Sequence, residues 1–296
     1  GQAVSLRKWF KTYAHIAADT RGFADGVELA VSGVGAYRAV SSGAHITNAG
    51  GQGLEVQAAS DGSMSILAFG AVGDGVTDNA TTIQAALNAG SVVTIPETGD
   101  FVCNSIVDLT SDLKLIGFGG WITQTDGTYT EVFRGQNISN LVIDGVNVKG
   151  ASAGSGTNSA AFAIFLNKNV HNVVVENCHI KDIGLEASSG EVGMGVYVGE
   201  TTLAGDHSTN IRIANNTIEN IKGWGANAGD AIYVRNASEV KIQGNTIRQT
   251  RRMGIAVTEE VDGIKIIGND VSDGYLTGID IEPNPGGTFA RNIVIA

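Results

Sequence analysis

Asp280 and Glu282 stand two residues apart in Gly278-Ile-Asp-Ile-Glu282, where apolar and polar residues alternate. Residues two apart on a strand share a face and lie about 6.5–7 Å apart along it. Carboxyl pairs cleave glycosidic bonds with retention at about 5–5.5 Å and with inversion at about 6.5–9.5 Å, so the spacing leans towards inversion. Asp280 is the leading candidate of the two. The plainer account is that both are solvated side chains on the outer face of a strand.

The same short motif occurs four times upstream, as Ala163-Ile-Phe-Leu166, Gly195-Val-Tyr-Val198, Ala231-Ile-Tyr-Val234 and Gly254-Ile-Ala-Val257. Stacked in register, these segments place Phe165, Tyr197, Tyr233, Ala256 and Asp280 in one outward column. Asn167, Gly199, Arg235, Thr258 and Glu282 form the next. An exposed aromatic column offers flat faces to sugar rings, or to a neighbouring subunit. Arg235 lies two strands from Glu282, roughly 10 Å. It suits an acidic sugar, or Glu282 itself. Asp230 opens its segment beside the loop that carries Trp224 and is placed to assist. Glu259 and Glu260 follow Thr258 in an expected turn and are weaker candidates. A calcium-dependent lyase would want clustered aspartates with an Arg or Lys base, a scheme that Asp280, Glu282 and Arg235 fit less naturally. His171, His179 and His207 have no metal-ligand spacing. No metal or cofactor is expected.

A longer repeat positions these residues. It reads Asn140-Leu-Val-Ile-Asp-Gly-Val-Asn-Val148 and returns from Asn172, Asn210, Glu239 and Gly263, with a partial copy at Asn292. Positions 141, 173, 211, 240 and 264 are apolar, as are 143, 175, 213, 242 and 266, and again 148, 180, 218, 247 and 271. Self-similarity at a few tens of residues signals a solenoid, with these positions stacked as buried columns. Arg212, Lys241 and Lys265 should face water. Asn177, Asn215, Gly244 and Gly268 occupy a turn that needs left-handed backbone. Asn216, Asn245 and Asn269 follow it and can stack as an amide ladder. Long loops are expected over 149–162, 181–194, 199–209, 219–230 and 283–291, bordering one sheet as walls.

Composition narrows the classes. The chain has 296 residues, with 19 basic against 30 acidic side chains and a net charge of −11. That disfavours nucleic acid as a partner. No run of apolar residues is long enough to span a membrane. Cys103 and Cys178 fit neither a disulfide framework nor a zinc motif. Cys178 falls within the repeat and reads as a buried, inert thiol.

Towards the N-terminus, residues 5–18 suggest a short helix capped by Ser5, with Trp9, Phe10, Tyr13, Ile16 and Ala17 on one face. Strand-like runs follow at Val27–Val31, Ala36–Val40 and Leu54–Gln57. Gly70, Gly73 and Gly75 then precede a helix capped by Thr77 or Asp78, with Ile83, Ala86 and Leu87 inward and Gly90 at its end. The glycines lack the spacing of a phosphate loop. A helix here would close one end of the solenoid, where core and strand edges are otherwise open. Further strands are expected at Val92–Ile95, Phe101–Ile106, Leu113–Ile116 and Leu141–Ile143. The start is abrupt and the finish falls inside a repeat copy, so the sequence reads as part of something longer.

Phe69-Gly-Ala-Val-Gly-Asp-Gly-Val-Thr-Asp-Asn79, the helix after it, the strand ending Ile95-Pro96 and the Asn/Gly-punctuated repeats resemble the pectate-lyase-like right-handed β-helix superfamily. The similarity is greatest to its bacteriophage tailspikes and capsular depolymerases. It covers residues 66–296; Ala68 stands where the family often has Asp. The expected fold is therefore all-β: a right-handed parallel β-helix over 66–296 with an N-terminal capping helix, after a small helix and β region over 1–65. The resemblance implies a homotrimer on a phage tail or outside the cell, residues 1–65 docking on a larger particle. It further implies a host surface polysaccharide as ligand; the outward columns then put that ligand over Phe165, Tyr197, Tyr233, Arg235 and Trp224, with hydrolysis by Asp280 and Glu282 assisted by Asp230. The superfamily also holds lyases, epimerases and adhesins, so the motif does not choose a reaction. A non-enzymatic receptor-binding fibre and a secreted polysaccharide lyase or epimerase remain open alternatives.

Overall fold

The computed structural model describes residues 8–125, 131–150, 161–184, 193–200, 207–223, 229–283 and 289–296. Three parallel sheets wind around one apolar core. The first runs through Val92–Ile95, Lys114–Gly117, Ser139–Asp144, His171–Glu176 and Ser208–Ala214. The second runs from Asp74–Asp78 through Trp121–Thr123 and His179–Ile183 to Asp270–Ser272. The third runs through Glu131–Gly135, Phe162–Leu166, Met194–Val198, Asp230–Gln243, Met253–Asp262 and Thr277–Glu282. Asp230–Gln243 is long enough to leave the third sheet and continue into the first.

The register follows the apolar columns. Ile143, Val175, Ile213, Ile242 and Ile266 stack in the first sheet; Ile122, Val148, Ile180, Ile218, Ile247 and Val271 stack in the second. All but Val271 are essentially inaccessible to water. Burial of this kind contributes about 25 cal/mol per Å² of apolar surface. Lys241 and Lys265 face water as expected, while Arg212 is half-buried and pairs with Glu176.

The turn between the first and second sheets holds Asn177, Asn215, Gly244 and Gly268, all with φ between 55° and 62°. At Gly244 an added Cβ would come within 2.6 Å of Asn215 Oδ1, so a larger residue there would have to push that carboxamide aside. Just inside that turn the amide ladder forms. Asn216 Nδ2 donates to Asn245 Oδ1 at 2.9 Å and to Val175 O at 3.0 Å; Asn245 Nδ2 donates to Asn269 Oδ1 at 2.9 Å and to Ile213 O at 3.0 Å. Each carboxamide oxygen also accepts a backbone N–H: Cys178 N reaches Asn216, and Asn216 N reaches Asn245. The ladder is thus a structural device whose buried polar groups are saturated.

The helix α1 spans Tyr13–Ala17 and α2 spans Ala80–Ala89. The N-terminal expectation needs correction. Lys8–Phe10 is a strand, and α1 is short and capped by Thr12; Ser5 lies outside the described residues. Trp9, Phe10 and Ile16 alternate with too many polar residues for a longer helix, and Lys8–Phe10 instead pairs with Glu28–Val31. Gly35–Val40, Gly53–Gln57 and Ile46–Thr47 complete this five-stranded sheet, and Tyr37 donates its hydroxyl to Ala68 O at 2.9 Å. Gly70 has φ 97° and an added Cβ would strike the Tyr13 ring at 2.6 Å, which fixes glycine at the junction. Asp78 accepts from Ala80 N at the start of α2, which buries Ala80, Ile83, Ala86 and Leu87 against the end of the core. Residues 101–106 form a shorter strand than expected, Asp100–Val102, because the chain turns there into Val107–Asp108 of the third sheet.

Both thiols are buried, and burial pushes each up to about 12. Folded protein at pH 8 should therefore not react with a thiol reagent, and two thiols should appear on denaturation. Asn245→Ala removes two donors and an acceptor from the ladder and orphans buried groups on either side. It should destabilise the fold by about 3 kcal/mol, read as a lower urea midpoint.

Candidate functional site

The outer face of the third sheet carries the predicted columns. Phe165, Tyr197, Tyr233, Ala256 and Asp280 are in register, and so are Arg235, Thr258 and Glu282. The columns are real, but they are not a uniformly open platform. The Phe165 and Tyr197 rings lie 4.7 Å apart at 29°, and Tyr197 and Tyr233 lie 5.4 Å apart at 8°. Phe162 adds a ring 4.6 Å from Phe165, and Met194 packs in. Strands about 4.8 Å apart bring the rings into contact with each other. Phe165 is therefore 8 % and Tyr197 4 % exposed, which corrects the expectation of sugar-binding faces there. Tyr233 is partly exposed. Its hydroxyl accepts a hydrogen bond from Thr258 Oγ1 at 2.9 Å, and the Arg252 guanidinium lies 5.9 Å from its ring centroid.

Asp280 is half-buried and Glu282 exposed, two residues apart on Thr277–Glu282. Neither is consumed by an ion pair with the described residues. Asp280 lies in the field of Arg252, which helps to hold that guanidinium protonated.

Asp230 has a different role from the one expected. Its side chain is fully buried; Oδ1 accepts from Arg252 Nε at 2.9 Å and from Met253 N at 3.0 Å, and Oδ2 accepts from the second guanidinium nitrogen at 2.5 Å. A carboxylate so clamped anchors Arg252 and is not open to solvent for proton transfer. Arg235 is likewise engaged. Its Nε donates to Glu259 Oε2 at 3.0 Å, so its partner is Glu259 and not Glu282. Glu259 itself is 9 % exposed, within Met253–Asp262 where the register shifts, and not in an open turn. The Tyr197 hydroxyl adjoins this pair, and burial raises its pKa. Trp224, and most of the long loops expected beside this sheet, lie outside the described residues.

Arg252 is the residue that sequence reasoning missed. Its signal was present: it stands one place before Met253, in the segment that stacks on Asp230. The histidines are dispersed, His179 on Glu219 at 2.8 Å and His207 on Glu260 at 3.4 Å. Among the described residues no group of three or more His, Cys, Asp or Glu could hold a metal ion, and no helix is long and apolar enough to cross a membrane. Asp230→Ala breaks the buried ion pair with Arg252 and should cost about 3–5 kcal/mol in urea unfolding; Asp230→Ala with Arg252→Met should recover part of it.

Comparison with solved structures shows the same architecture in a tailspike domain. The enzymatically active domain of bacteriophage CBA120 tailspike protein 2 superposes with a TM-score of 0.56 at 16 % identity, over 92 % of this chain and 47 % of that one. The pre-mature bacteriophage phi29 gene product 12 gives 0.49 at 18 %, over 74 % and 33 %, and the Dettilon tailspike protein 0.44 at 14 %, over 77 % and 48 %. The chain thus spans between a third and a half of each of these proteins, and the likeness to the CBA120 domain is one of fold. No curated protein sequence matches it. The sequence profile of the right-handed beta helix region matches residues 122–269 and 204–296, together most of the chain. With the three-sheet parallel winding, this establishes that the chain belongs to the right-handed β-helix family.

Proposed function

We propose that this chain is the polysaccharide-binding part of a phage tailspike-like protein and that it hydrolyses a host surface polysaccharide with Asp280 and Glu282. The supporting observation is the pair itself: two accessible carboxylates on one outward strand face, beside the accessible ring of Tyr233. Arg252, held in place by Asp230, lies on the same side of the sheet and feels the field of Asp280. Asp280 is then the general base that activates water, and Glu282 the general acid that protonates the leaving oxygen. A spacing of about 6.5–7 Å leaves room for that water and gives inversion. Tyr233 receives a sugar ring, and the Thr258 hydroxyl fixes the phenol. Asp230 acts through Arg252, and Arg235 with Glu259 holds the rim of the column.

On this reading residues 1–65 attach the protein to a larger particle, residues 66–296 present the site, and three copies assemble on a virion tail outside the host cell. The fold likeness to the CBA120 tailspike domain supports it. A receptor-binding fibre without chemistry is the second reading. It is favoured by the closure of Phe165 and Tyr197 against one another, which narrows the aromatic surface to Tyr233.

Asp280→Asn and Glu282→Gln should each slow release of reducing ends from host surface polysaccharide by about 10²–10⁴-fold while binding persists. Cleavage at the parent rate by both variants would make the pair ordinary surface residues. Binding with no product from the parent would establish the fibre.

A further inference from the structure

Among the described residues, every cation of the third sheet already has a carboxylate partner. Arg134 Nε donates to Asp108 Oδ1 at 2.7 Å, Arg235 Nε to Glu259 Oε2 at 3.0 Å, and Arg252 Nε to Asp230 Oδ1 at 2.9 Å. The turns that border the sheet repeat the pattern. Lys168 lies 3.8 Å from Glu200, and Arg291 Nε donates to Asp262 Oδ2 at 2.8 Å. The Arg251 guanidinium stands 4.2 Å from the Tyr275 ring centroid and is otherwise engaged as well. Lys222 shares its turn with two carboxylates, Asp182 and Asp273.

Carboxyl groups are in surplus on the same face. Arg235 and Arg252 stand with Asp230, Glu259, Asp280 and Glu282, two guanidinium groups among four carboxyl groups. Turning either guanidinium to a ligand would leave Asp230 or Glu259 buried without its partner, a loss that an exposed ion pair does not make good. A ligand anion on this face therefore meets like charge. At low salt it also meets the field of a chain whose net charge is −11; above a separation of about 8–10 Å that field is largely screened at physiological salt.

What the face offers is recognition without charge. The Tyr233 ring is braced by Tyr197, 5.4 Å away at 8°, and by Thr258 Oγ1 at 2.9 Å from its phenol oxygen. It remains partly exposed, an apolar surface for the C–H groups of a sugar ring. Asp280 and Glu282 accept hydrogens from sugar hydroxyls, and such charge-assisted bonds are roughly twice as strong as neutral ones.

We infer that the polysaccharide is uncharged over the stretch that lies on this face: neutral hexoses, deoxyhexoses or N-acetylhexosamines, without uronate, sialate or phosphate. The inference rests on the proposed polysaccharide-binding reading and names its substrate class. The acidic sugar that Arg235 suggests in the sequence is set aside, because Glu259 already holds that guanidinium.

The test uses surface polysaccharides from a panel of bacterial strains, each separated by anion exchange into uncharged and acidic fractions. Binding to the immobilised parent chain is measured by surface plasmon resonance at 20 and 200 mM salt, and release of reducing ends is followed on the same fractions. An uncharged fraction should bind, with an affinity that changes by less than about twofold between the two salts. Acidic fractions should bind at least about tenfold more weakly at 20 mM salt. Tyr233→Ala should weaken binding of the uncharged fraction severalfold, with circular dichroism and the urea midpoint separating lost binding from lost folding. An acidic fraction that binds more tightly than any uncharged one, its affinity falling as salt rises, would overturn the inference and leave the polysaccharide-binding reading standing. A folded Tyr233→Ala variant that binds like the parent would overturn it for this face. Binding of an uncharged fraction without products would overturn only the hydrolysis. Binding of no fraction would overturn the polysaccharide-binding reading and this inference with it.

Discussion

Stacking in register is the constraint on which everything else depends. Each rung of a parallel β-helix bonds to the rungs above and below, so a side chain meets the corresponding side chains of its neighbours about 4.8 Å away. Inside, this selects isoleucine and valine, which pack against their own kind. Polar groups inside can satisfy one another by forming their own chain, as Asn216, Asn245 and Asn269 do. Outside, the same rule brings Phe165, Tyr197 and Tyr233 face to face. An aromatic column so closely spaced partly buries itself. The stacking that makes a sugar-binding surface attractive in principle also removes most of it.

Charge on the outer face obeys the same geometry. Arg212 meets Glu176 and Arg252 meets Asp230 from adjacent rungs, and Arg235 meets Glu259 across a register shift. Two of these pairs are well shielded from water, where the loss of one partner costs far more than the pair contributes. They are best understood as the frame within which Asp280 and Glu282 are left accessible.

The fold was legible because its signals are periodic. Apolar residues two apart, asparagine or glycine at each turn and a helix before the first full rung all point to one winding, and residues 122–296 carry the family pattern. The columns of the third sheet were legible for the same reason. The pairing within that face was not. Glu259 looks like the start of a turn in sequence, yet the bulge after Arg235 turns it inward to meet the guanidinium. Asp230 and Arg252 come from different rungs, and only the alignment of the two segments, not either one alone, points to the pair. Exposure also escaped the sequence reading, because Phe162 and Met194 cover the rings from positions outside the motif. At the N-terminus, pairing of Lys8–Phe10 with Glu28–Val31 overrode a weak helical pattern.

The amide ladder has a direction. Asn216 and Asn245 each give their hydrogens to the rung that follows and to a carbonyl behind, and the series begins at a plain backbone N–H on Cys178. Such a series can be lengthened by copying a rung, because a new asparagine needs only what its neighbours already offer. It cannot be joined in reverse or out of phase. Duplication of whole turns is thus an inexpensive route to a longer shaft, and the loops leaving each turn are free to diverge once the copy is made. Variation in what the surface recognises can then accumulate on a shaft whose interior scarcely changes.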